Sequence, residues 1–95
     1  MYNIENTNCE VFLMRLRNQP IGDKNLIGER VEVARKNQGM KQKELLAQLQ
    51  VKGVDMNSSG LSKLEGQIRA VTDIELLAIA EILDVDVMWL LTGKE

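Results

Sequence analysis

The sequence predicts an all-α fold, five short helices packed as a compact bundle around one core. Three observations predict it. The 95 residues hold a single proline and almost no stretch in which polar and apolar residues alternate, so strands have little to build on. Apolar residues recur instead at helical spacing, in runs closed by glycine. Two of these runs open on residues suited to satisfy free helix amides, Thr72 and Asp86.

Pro20, Gly22 and Asp23 close an N-terminal extension, residues 1–24, ahead of a helical domain at residues 25–95. A first helix over about residues 26–37 follows from Ile27, Val31 and Ala34 at i, i+4 and i+7, with Gly39 as its left-handed stop. The second begins near Lys41 and buries Leu45, Leu46 and Leu49; Gln50, Val51 and Lys52 can extend it towards Gly53. Asn57 or Ser58 caps a third helix, with Leu61, Leu64 and Ile68 on one face, Ser59, Ser62 and Lys63 on another, and Gly66 just past its last turn. The fourth starts on the capping box Thr72 and Glu75, with Val71 and Leu76 as a hydrophobic staple. Its Leu77, Ile79, Ala80 and Leu83 leave it apolar over most of its circumference, which predicts a place in the middle of the core. The fifth starts at Asp86, with Val85 and Leu90 as a staple, Trp89 and Leu90 as anchors and Gly93 as its end. Met40, Met56 and Met88 suit gaps in such a core.

Composition narrows the function. Hydrophobic residues make up 44% and charged residues 27%, the proportions of a folded globular domain. No apolar run is long enough to cross a bilayer, and the polar start, Met1 to Asn8, does not resemble a secretory signal; a cytoplasmic protein without membrane association is expected. The lone Cys9 has no disulfide partner, and there is no histidine. That removes the commonest metal ligand and general base, so no metal, no cofactor and no enzymatic activity are expected. Three aromatic residues provide no stacking platform for single-stranded nucleic acid.

The net charge of −2 conceals a polarised chain. Residues 25–69 hold eight basic against five acidic side chains, and residues 70–95 hold one against six. A basic and an acidic face are compatible with these counts, and local potential governs contact with phosphate. The third helix adds an outer face of Ser58, Ser59, Gly60, Ser62 and Lys63, short groups that allow close approach to a base edge.

Residues 28–93 resemble the helix-turn-helix domain of phage-type repressors, the Cro/C1 or XRE family. The resemblance is carried by Gly28-Glu29-Arg30-Val31 with Arg35, Lys41-Gln42-Lys43-Glu44-Leu45, and Ser59-Gly60-Leu61-Ser62-Lys63-Leu64-Glu65 with Arg69. Ile79-Ala80-Glu81-Ile82-Leu83-Asp84-Val85 and Trp89-Leu90-Leu91-Thr92-Gly93 complete it. It implies a sequence-specific transcriptional regulator of the repressor type, binding double-stranded DNA as a homodimer with the third helix in the major groove. Ser58, Ser59 and Lys63 then face base edges, with Gly60 permitting close approach. Gln42 meets a backbone phosphate at a helix N-terminus. Lys41, Lys43 and Arg69 make further phosphate contacts. The same resemblance implies a partly buried Arg35 to Glu65 salt bridge and a dimer surface on the fifth helix, with Met88 and Leu91.

The chain departs from the family pattern in four places. Gln42 and Glu65 are 23 positions apart, about five more than the usual helix-turn-helix spacing, so either the second helix is longer or the following loop bulges within residues 49–56. Leu46 stands in place of alanine, Lys41 in place of a Ser or Thr cap, and Gly66 falls one position early. Outside the resemblance, Val11, Phe12, Leu13, Met14 and Leu16 with Arg15 and Arg17 admit three roles: a loosely ordered terminus or short helix, a dimer or partner contact, or an arm touching DNA. A protein-interaction module on the same fold, antitoxin-like or a coactivator bridge, is the alternative function.

Overall fold

The computed structural model describes residues 22–94. Among them are five helices and no strand: α1 Gly28–Asn37, α2 Gln42–Val51, α3 Ser58–Glu65, α4 Asp73–Leu83 and α5 Val87–Thr92. The apolar cluster at 11–16 and its neighbours Arg15 and Arg17 lie outside the described residues. One core, built on Ile27, Val31, Leu45, Leu49, Leu61, Leu64, Ile79, Leu83 and Leu90, joins all five helices.

Helix α1 starts two residues later than its apolar spacing predicts. The Asn25 side chain accepts from the N–H groups of Ile27 at 3.0 Å and Gly28 at 2.8 Å, which caps the helix there and leaves Leu26 exposed. Its far end is the one expected, with Gly39 at φ 69°. At α2, Lys41 has no side-chain acceptor, and the Glu44 carboxylate takes its N–H at 2.7 Å instead. Leu45 and Leu49 are fully buried; Leu46, expected beside them, is only half-buried and packs at the edge of the core.

The long connection from α2 to α3 combines both expectations. Helix α2 runs on to Val51, and in the loop that follows Lys52, Gly53, Asp55 and Asn57 are exposed while Val54 and Met56 anchor it in the core. Asn57, not Ser58, caps α3, accepting from Gly60 N–H at 2.7 Å. Ile68 does not share the buried stripe of Leu61 and Leu64. Helix α3 ends at Glu65, Gln67 takes φ 60° and turns the chain, and Ile68 is left exposed.

The Thr72 and Glu75 capping box forms in both directions, at 3.1 and 3.0 Å. Helix α4 packs against α1, α2 and α5, burying Ala78, Ile79, Ala80 and Leu83, but it is not surrounded: Ile74 is 71% and Leu77 55% exposed. Three neighbours cover only part of its circumference. Asp86 caps α5, accepting from Met88 N–H at 3.0 Å, and Leu90 is fully buried while Trp89 packs at the core edge. Met56 fills the core, but Met88 is 56% exposed, because it lies on the opposite side of α5 from the fully buried Leu90.

Candidate nucleic-acid interface

Helix α3 has two unlike faces, and its buried face carries a charge. Glu65 is fully buried and receives Arg35 in a two-pronged pairing, Nε to Oε2 at 2.7 Å and Nη2 to Oε1 at 3.0 Å. The side chains of both residues are almost wholly removed from solvent, deeper than the partial burial expected. A carboxylate so placed must be paired to be tolerated, and a third donor, Gln42 Nε2, reaches Oε1 at 2.9 Å. Arg35 also donates from Nη1 to the Met40 carbonyl at 2.8 Å. One buried carboxylate therefore links α1, α2 and α3.

Gly28 sets how close α1 comes to α3. A Cβ at this position would lie 2.2 Å from the Leu64 carbonyl oxygen and 2.8 Å from that of Glu65, so any side chain would force the two helices apart. Asn25 fastens the same joint, donating from Nδ2 to the Leu64 and Arg69 carbonyls at 3.0 and 2.9 Å.

On the outer face Ser58, Ser59, Ser62 and Lys63 are exposed, and Gly60 is half-buried. A Cβ on Gly60 would lie 3.2 Å from both Asn57 Oδ1 and Met56 Cγ. Ser59, Gly60 and Lys63 line a shallow groove with Asp55, Asn57 and Arg69. The groove thus unites three of the four expected base-facing residues, Ser59, Gly60 and Lys63, with one expected phosphate contact, Arg69, and leaves Ser58 outside its lining.

The four expected phosphate contacts differ in their surroundings. Lys41 and Lys43 are exposed at the start of α2. Gln42 is turned into the protein, donating to Glu65 and accepting from Ser62 Oγ at 3.1 Å, which ties the start of α2 to the outer face of α3. Arg69 donates to Glu75 Oε2 at 3.1 Å and lies 3.7 Å from Met56 Sδ, so it supports the turn into α4 as well as lining the groove.

Sequence reasoning missed Asn25, Ser62 as a partner of Gln42, and Gln67, whose Nε2 donates to the Asn25 carbonyl at 2.6 Å. An asparagine three residues ahead of a glycine at a helix start is the one signal that pointed to Asn25; the other two depend on helix approach. Of the two residues expected at a dimer surface, Met88 is exposed, and Leu91 is half-buried along an apolar groove with Leu26, Val71 and Leu76.

Among the described residues there is no group of three or more Cys, Asp and Glu side chains placed to hold a metal ion, and no helix long and apolar enough to cross a membrane. Comparison with protein-family models, curated proteins and solved structures found no match for this chain.

Proposed function

We propose that this chain is a sequence-specific DNA-binding transcriptional regulator of the repressor type, in which α2 and α3 act as a helix-turn-helix and α3 enters the major groove. The observation that carries the reading is the contrast between the faces of α3. Its inner face is fixed to α1 and α2 through Glu65, and its outer face offers short hydroxyls, a glycine and a lysine to a partner. Reading base edges needs such rigidity on one side and close access on the other. Ser58, Ser59, Gly60 and Lys63 face the bases, while Lys41, Lys43, Arg69 and the amide end of α2 at Gln42 hold phosphates. The chain acts as a homodimer through α5, with half-sites about 10 bp apart.

Selecting bound duplexes from a random pool and titrating the winner with salt tests this. A defined motif is expected, with affinity that falls as salt rises. Lys43→Ala is expected to reduce the salt slope by about 1 while leaving sequence preference intact, and Lys63→Ala to relax that preference. Enrichment of no motif sinks the reading.

A second reading, a protein-interaction module on the same fold, is favoured by one observation. Ile74, Leu77 and Met88 are exposed on α4 and α5, the acidic part of the chain. Exposed apolar side chains in an acidic part of the chain suit a protein partner. Capture of a partner that Leu77→Lys abolishes, with no duplex binding, would favour it.

A further inference from the structure

Helix α1 has a second buried side that the core does not account for. Val33 is 4% exposed, as deeply buried as the core residues, yet it is not a member of the core cluster. With 3.6 residues per turn it lies about 160° around the helix from both Val31 and Arg35, which face the core and Glu65. Of the other points at which α1 meets described elements, Gly28 against α3 lies about 140° from Val33. Arg30, one turn before Val33 and about 60° from it, donates to the Leu90 carbonyl at 2.9 Å, so α5 borders this face without bringing Val33 into the core cluster. Glu32, next to Val33, is 9% exposed and pairs with Lys36 at 3.0 Å. A valine and a glutamate flanked only by their own helix would keep far more of their surface, so this face is covered.

We propose that the outer face of α1, centred on Val33, is a docking surface for residues 11–17 of the same chain. Val11, Phe12, Leu13 and Leu16 supply apolar side chains, and Arg15 and Arg17 are opposite in charge to Glu29 and Glu32. The point of chain entry agrees. Gly22 and Lys24 donate their N–H groups to the Gly66 and Gln67 carbonyls, each at 2.8 Å, beside the Asn25 cap of α1. The five residues from Arg17 to Gly22 span up to about 17 Å, more than the 10–12 Å or so across a helix. Docking there braces α1, the helix whose Arg35 orients α3. The inference stands on the burial of α1 alone and is independent of DNA binding.

Thiol labelling tests it in the full chain. In a Cys9→Ser background, Val33→Cys is expected to react at least about tenfold more slowly than Val51→Cys, an exposed position. Protection should not depend on protein concentration. Adding Phe12→Asp, Leu13→Asp and Leu16→Asp should raise the Val33→Cys rate to that of Val51→Cys while the far-ultraviolet helix signal persists. As an independent check without the thiol, Arg15→Glu with Arg17→Glu should speed amide exchange in α1, and adding Glu29→Lys with Glu32→Lys should restore it. Equal rates in the full chain overturn the proposal. So does protection that survives the three aspartates, or protection that grows with concentration, which assigns the face to a second copy.

Discussion

Between α1, α2 and α3 the contacts that set orientation are polar and buried: Arg35 and Gln42 converge on Glu65, and Asn25 bridges the start of α1 to the end of α3. Around α4 and α5 polar groups serve helix ends, as at Thr72, Glu75 and Asp86, and the polar bonds that do cross between helices start from exposed or half-buried side chains, Gln38 to the Leu83 carbonyl, Arg30 to the Leu90 carbonyl and Lys52 to Glu81. The buried packing there is apolar, through Ala78, Ile79, Leu83 and Leu90. Apolar contacts tolerate sliding and rotation because they have no preferred direction. Hydrogen bonds to a buried charge do not, since a displaced partner leaves that charge unpaired. A buried charge thus ties down the helix whose outer face is proposed to read a surface, whereas the acidic half is held mainly by apolar volume and helix-end hydrogen bonds.

Substitutions can break this comparison, and the largest effect is expected at Glu65. Glu65→Ala leaves the Arg35 guanidinium buried without its carboxylate and should destabilise the fold by about 3–5 kcal/mol, read as a lowered midpoint in urea. A loss under about 1 kcal/mol would mean that the polar joint does not hold the first three helices. Next is Gly28→Ala. Its methyl group meets the backbone oxygens of Leu64 and Glu65, which cannot yield, as well as the Gln67 side chain, and a loss of about 1–3 kcal/mol is expected. Binding to any selected duplex should fall by more than this loss of folded protein accounts for, because α3 is displaced. The smallest effect is expected in the other half. Thr72→Ala removes one side-chain cap and should cost about 1 kcal/mol, or about 4–8 °C in Tm for a domain of this size. If it rivals Glu65→Ala in the same denaturation series, the division between the halves fails.

Much of this architecture was legible in the residues, for reasons of range. The caps at Thr72 and Asp86, the glycine stops at Gly39 and Gly93 and the stripes of Leu45 with Leu49 and Leu61 with Leu64 follow from chemistry within one or two helical turns. The Arg35 to Glu65 pairing was legible only through a family resemblance, since 30 positions separate the partners. The exposure of Ile74, Leu77 and Met88 was not legible. An apolar residue looks the same in sequence whether or not a neighbour covers it. Ile68 failed for a related reason: the helical spacing that linked it to Leu64 ended at Glu65, and the glycine at 66 stayed at φ −81° while Gln67 took the left-handed turn.

The sequence by itself determined five helices, the caps of α4 and α5 and most of the buried stripes, because helical period and terminal hydrogen bonding are local properties of the chain. Only the tertiary structure decided that Glu65 is fully enclosed and shared by Arg35 and Gln42, that Gln42 is turned inwards, and that Val33 is buried away from the core. Each depends on how closely two distant segments approach, a distance set by packing all the helices at once.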